Sequence, residues 1–204
     1  MFLFHGGTQT STEFVENLNT VSKDDFLKFP KKFEVTIPQA ELMSYTARKG
    51  KLKHIWFDRV RNTINEAENS IGMEDACQKL IDENPVLVEK QKLILGGYSM
   101  GGSLALYLGL RFLPMKYGYS PMKIFTMSSY LNRDSVVYEN FRQNKTSIYM
   151  CHAKNDPIVP FSSGMETFQK LKETGSENIV FRTNQAYHYF DESQLTDVKR
   201  FCKY

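Results

Sequence analysis

Long apolar runs are missing from this chain of 204 residues. None approaches the roughly 20 residues that cross a bilayer as a helix, so no transmembrane segment is expected. The apolar opening Met1 to Phe4 stops at His5-Gly6-Gly7, too short for the core of a secretory signal. Cysteine is scarce. Cys77, Cys151 and Cys202 are odd in number and far apart, which argues against a disulfide framework and a Cys-rich zinc site. They read as buried structural thiols in a reducing, cytoplasmic compartment. An excess of one charge is also missing. Lys and Arg number 26 and Asp and Glu 23, a net charge of +3, too small to suggest nucleic acid as a partner. There is no internal repeat, low-complexity tract or linker, so residues 1–204 are expected to form one domain.

What is present is an ordinary globular composition, 41% hydrophobic and 13% aromatic, enough to bury a core without staples. Phe2 to Phe4 reads as a short buried strand broken by His5-Gly6-Gly7. Ser11 to Leu18 reads as a helix capped by Ser11 or Thr12. Lys32 to Ile37 alternates and stops at Pro38, as a strand would. Gln39 to Lys53 has little periodicity and reads as a loop. Ser70 to Glu83 sets Ile71, Ala76, Cys77 and Leu80 on one side of a helix that ends before Pro85. Gln91 to Gly97 holds Leu93, Ile94 and Leu95 in a row, the pattern of a central parallel strand.

Beyond it, Gly102 to Phe112 reads as an Ala/Leu helix. Lys123 to Met127 and Ser147 to Cys151 read as strands, with a loop from His152 to Pro160. Ser162 to Thr174 is a helix closed by Gly175. Ile179 to Thr183 and Ser193 to Cys202 complete the order as strand and helix. Strands that alternate with helices predict a mostly parallel central sheet with helices on both faces.

Gly97-Tyr98-Ser99-Met100-Gly101 matches Gly-x-Ser-x-Gly. The bare pattern is weak, but here an apolar strand runs into it and a helix runs out. That is the setting of a nucleophile elbow. The glycines remove side chains that would clash in the turn, and the serine projects at the carboxyl end of the strand. The competing reading is a Gly-rich helix cap. The same glycines fit neither a phosphate loop nor a dinucleotide fingerprint.

A serine hydroxyl needs a base. His152 and His188 are the histidines beyond Ser99. Asp156 and His188 both lie past strand ends, on the sheet edge that carries Ser99. The chain order Ser, Asp, His then gives His188 as base and Asp156 as the carboxylate that orients it. Asp191 and Asp134 are rival acids and His152 a rival base. His54 reads as a solvated or packing residue. An oxyanion would need two backbone N–H groups. Met100 offers one by its place after the serine, and Gly7, after the early strand, is the candidate for the other.

Phe2-Leu3-Phe4-His5-Gly6, Trp56-Phe57-Asp58, Gly96 to Gly102, Asn155 to Pro160 and His188 together resemble the acyl-protein thioesterase/lysophospholipase family of serine hydrolases. Trp56 to Arg59 and Met127 to Asn132 are similar to its lysophospholipase-like 1 branch. The resemblance implies an α/β-hydrolase fold with Ser99, Asp156 and His188 as triad. It also implies cytosolic hydrolysis of carboxylic esters or thioesters without a cofactor, with an S-acylated protein as the alternative substrate. The family loop runs His-Gly-x-Gly-Asp, whereas Thr8 and Gln9 here replace its second Gly and its Asp. The family also carries strands ahead of the His-Gly strand, so the sheet is expected to be shortened at the N-terminal edge. A catalytically silent binding module on the same fold is the rival from another functional class.

Overall fold

The computed structural model describes residues 1–23, 25–29, 33–89, 92–139, 145–176 and 178–203. Among them, β1 (Phe2–Phe4), β4 (Ile94–Tyr98), β5 (Lys123–Met127), β6 (Ser147–Ala153) and β7 (Ile179–Asn184) form a five-stranded sheet in the order β1-β4-β5-β6-β7. Every pairing is parallel. The three inner strands are the apolar runs of the sequence, and β4 and β5 are buried at every position. Burial on both faces explains why they read as continuous rather than alternating.

Residues along each strand divide between the two faces. Leu3, Ile94, Phe125 and Cys151 pack with Phe14 and Leu18 of α1 (Ser11–Ser22) and Leu195 and Val198 of α6 (Glu192–Lys203). Phe2, Phe4, Leu95, Ile124 and Met150 pack on the other side. There they meet Met73, Cys77 and Leu80 of α2 (Ser70–Glu83), Leu104 of α3 (Met100–Tyr107) and Leu171 of α5 (Phe161–Glu173). The sheet therefore has helices on both faces.

Several expectations change. The cap of α1 is Thr10, which forms a reciprocal capping box with Glu13. Thr36 of the anticipated Lys32–Ile37 strand makes a single parallel bridge to Phe2, and Lys32 lies outside the described residues. Gln39–Lys53 is not a loop throughout. It holds an antiparallel hairpin of β2 (Leu42–Tyr45) and β3 (Lys51–His54). The helix α2 has the expected bounds, but Ile71 is 76% exposed, and Met73 and Ile81 take the buried side with Cys77 and Leu80. The helix after β4 starts at Met100 and passes through a π turn, Leu108–Phe112, into α4 (Leu113–Tyr117). Strand β6 runs two residues past Cys151, so His152 and Ala153 belong to it. The three cysteines are free and buried. Among the described residues no helix is long and apolar enough to cross a membrane.

Candidate active site

Ser99 sits between β4 and α3 with φ 51° and ψ −118°, a left-handed backbone that a non-glycine residue adopts at a cost. The turn is fixed by its surroundings. The Ser99 N–H donates to the Met127 carbonyl at 2.8 Å, and the Gly102 N–H donates back to the Ser99 carbonyl at 3.0 Å. A Cβ at Gly97 would lie 2.2 Å from the Gly101 backbone, and one at Gly101 would lie 2.4 Å from the Phe4 carbonyl oxygen. Both positions admit only glycine because backbone meets backbone there.

The structure brings Ser99, His188 and Asp156 into one hydrogen-bonded chain. The Ser99 hydroxyl lies 3.2 Å from His188 Nε2, and His188 Nδ1 lies 2.7 Å from Asp156 Oδ2. With the carboxylate ionised, Nδ1 carries the proton and Nε2 is free to accept from the serine. Asp156 Oδ1 accepts the Ile158 and Val159 N–H groups at 2.9 and 2.8 Å. Burial works against the Asp156 charge, but the bond from His188 and the two amides outweigh it and lower its pKa. The carboxylate is buried, while Ser99 and His188 are half-exposed.

The rivals are occupied elsewhere. Asp191 Oδ1 accepts from the Gln194 amide and the Ser193 hydroxyl at the start of α6, and its Oδ2 accepts from the Asn184 side chain. Asp134 accepts the Glu68 N–H. His152 is buried, donates from Nε2 to the Val159 carbonyl at 2.9 Å, and lies 3.7 Å from Asp156. Burial lowers its pKa, so it supports the Asp156 loop as a neutral ring. His54, on β3, donates from Nδ1 to the Ala40 carbonyl at 2.8 Å.

Gly7 stands directly against Met100. A Cβ on Gly7 would lie 3.1 Å from the Met100 methyl. Among the described residues neither the Gly7 nor the Met100 N–H is taken up by an acceptor, as expected for Met100 in the first turn of a helix. Thr8, next to Gly7, has φ 69° at the position where the resembling family has glycine. Its N–H is held by the His54 carbonyl at 2.7 Å. Gln9 Oε1 is buried and has no partner among the described residues.

Two positioning residues escaped the sequence reading. His5 Nε2 accepts the Ala40 N–H at 3.0 Å while Nδ1 donates to the Gly6 carbonyl at 2.8 Å. The His5 carbonyl accepts from Trp56 Nε1 at 2.8 Å. This ring ties the Gly6-Gly7 turn to the segment before β2, and burial lowers its pKa to about 4. Tyr98 donates to the His188 carbonyl at 2.7 Å. Nothing in local spacing signals either role, because the partners are 35 and 90 residues away. Trp56 is a buried anchor, edge-on to Phe4 and tilted over His5. Among the described residues no group of three or more His, Cys, Asp or Glu could hold a metal ion.

The family profile described as Phospholipase/Carboxylesterase matches residues 2–204. Lysophospholipase-like protein 1 of Mus musculus is 31% identical over 173 residues, covering 81% of this chain and 70% of that protein. Acyl-protein thioesterase 1 of Debaryomyces hansenii is 28% identical over 180 residues, covering 80% and 72%. Among solved structures, Zea mays acyl-protein thioesterase 2 superposes with a TM-score of 0.78 at 21% identity, covering 99% of this chain and 91% of that one. The resemblance and the α/β-hydrolase fold expected from the sequence are both borne out.

Proposed function

The chain belongs to the phospholipase/carboxylesterase family, and on that footing we propose that it hydrolyses carboxylic esters or thioesters through an acyl-enzyme on Ser99. The observation that carries this reading is the chain of bonds from Asp156 through His188 to Ser99, at 2.7 and 3.2 Å. His188 Nε2 takes the proton as Ser99 Oγ attacks the acyl carbonyl. Asp156 holds the imidazole in the needed tautomer and stabilises its charged form. The tetrahedral oxyanion is met by the Met100 and Gly7 amides. Collapse expels the alcohol or thiol, which takes its proton from His188. Water activated by the same ring then releases the acid and restores Ser99.

Relatives named acyl-protein thioesterases make an S-acylated protein the alternative substrate. Three buried free thiols suit a reducing compartment, and the proposal places the activity in the cytoplasm. The test is a fluorophosphonate probe together with aryl esters of rising chain length. Parent protein should label and turn over, and Ser99→Ala should do neither while remaining folded, with a loss on the order of 10⁴ to 10⁶ in rate. Activity of Ser99→Ala within tenfold of the parent would sink the assignment. A folded parent that never labels would favour the silent binding module.

A further inference from the structure

Arg59 is buried, at 7% exposure, without a carboxylate partner. None of the ion pairs among the described residues includes it. Its Nη1 donates to the Tyr130 hydroxyl at 3.2 Å and its Nη2 to Ser103 Oγ at 3.0 Å. Nε has no partner among the described residues. The guanidinium lies between two rings, 4.9 Å from the centre of Phe57 and 4.7 Å from that of Tyr130. The half-buried Glu68 feels this charge through space, and the charges of Arg59, Asp58 and Glu66 all reach Tyr45. Burial raises the Glu68 pKa, which weakens it as a counter-charge.

A buried cation with no carboxylate in ion-pair contact is costly, even with the Glu66 carboxylate seated on the Val60 and Arg61 N–H groups next to it, and the place makes it more so. Ser103 closes the first turn of α3, and its N–H reaches back to the Ser99 carbonyl. The start of a helix already carries partial positive charge and ordinarily repels cations. The group that gains from both is an anion forming beside the Met100 amide. One helical turn plus the bond to Ser103 puts Nη2 within roughly 12 Å of Ser99. At an effective dielectric constant of about 20, a unit charge at that range changes a rate about tenfold.

We propose that Arg59, held beside the first turn of α3, acts through space by adding fixed positive potential where the oxyanion develops. The inference rests on the acyl-enzyme reading above. Its action is electrostatic, so the charge matters more than the hydrogen bonds.

Arg59→Lys and Arg59→Gln separate these two contributions, since both keep a polar end and only lysine keeps the charge. Each is assayed for kcat and KM on an aryl acetate and for the affinity of an aryl boronic acid, which forms an anionic tetrahedral adduct on an active serine. Arg59→Gln should lose about tenfold in kcat with KM within twofold, and boronate affinity should fall by the same factor. Arg59→Lys should recover most of both. Ser103→Ala removes the hydroxyl bridge but leaves the cation, and should lose less than threefold in boronate affinity. Equal kcat for the lysine and glutamine variants overturns the proposal. A tenfold loss in Ser103→Ala also overturns it, and that arm does not require the Arg59 variants to fold. Fluorophosphonate labelling of the parent keeps the two readings apart. A parent that labels while the lysine and glutamine variants match removes Arg59 alone, and a parent that neither labels nor binds boronate removes the acyl-enzyme.

Discussion

The Tyr98 hydroxyl donates to the His188 carbonyl at 2.7 Å, and the two rings lie 5.1 Å apart. The residue just before Ser99 thus holds the loop that carries the histidine facing Ser99. Tyr98→Phe keeps the ring contact and removes the bond. A neutral hydrogen bond contributes about 1 kcal/mol, which at this chain length lowers Tm by about 2 to 4 °C. Turnover should fall about tenfold as the His188 backbone gains freedom. Calorimetry and aryl-ester kinetics check both, and parental kcat in the variant would show that the bond does not position His188.

Asp156→Asn should lower kcat about 10⁴-fold with little change in KM, because an amide favours the wrong imidazole tautomer. Asp191→Asn should instead leave stability nearly unchanged, because Asn caps a helix about as well as Asp and keeps the Oδ1 that accepts from Gln194 and Ser193, with kcat nearly parental. If the two variants exchanged these outcomes, the acid would be Asp191.

Gly7→Pro deletes the amide and should cost about 10² to 10³ in kcat. Gly7→Ala keeps the amide, and its Cβ would meet the flexible end of Met100, so the loss should be far smaller. Circular dichroism of both variants confirms that a folded sample is being assayed. Equal losses would show that the amide itself contributes nothing.

His5 gives a stability prediction with a defined sign. Its folded pKa is lowered to about 4 from about 6.5 in the unfolded chain. Between those values the unfolded state binds the extra proton, so stability falls as pH drops from 6.5 toward 4 and levels off below. The geometry agrees, since protonating Nε2 would set a donor against the Ala40 N–H. The share is about 3 kcal/mol. Urea melts at pH 6.5, 5.2 and 4 should show it, and His5→Gln should flatten that part of the slope. A parent–variant difference independent of pH would be evidence against a neutral His5.

Where sequence and structure agree, the signal was local. The bounds of α2 follow from Asn69 at its start and Pro85 after its end, and β5 coincides with its apolar run. The elbow was legible because strand, motif and helix are contiguous. The hairpin β2–β3 was missed because both its faces are largely exposed and its second strand is lysine-rich, so no alternation survives. The π turn was hidden because Leu108 to Phe112 is apolar apart from Arg111 and carries no helix stop signal, with Gly109 held against Ile124. Asp156 and His188 were found by chain order. His5 and Tyr98 were not, because what they do depends on distant partners.

The hydrogen bond between Ser99 and His188 joins residues 89 apart in sequence, and that from His188 to Asp156 joins residues 32 apart. At synthesis rates of about 5 to 20 residues per second, Ser99 precedes His188 by roughly 4 to 18 s. A growing chain can complete β4 and the turn at Ser99 and still have nothing to take the serine proton. On the proposed mechanism, reactivity is withheld until β6 and β7 have joined the sheet and delivered Asp156 and His188 to the same edge. On the same mechanism, hydrolysis would time the joining of β7 to the sheet, and chains that have not reached that stage would be inert toward acyl groups.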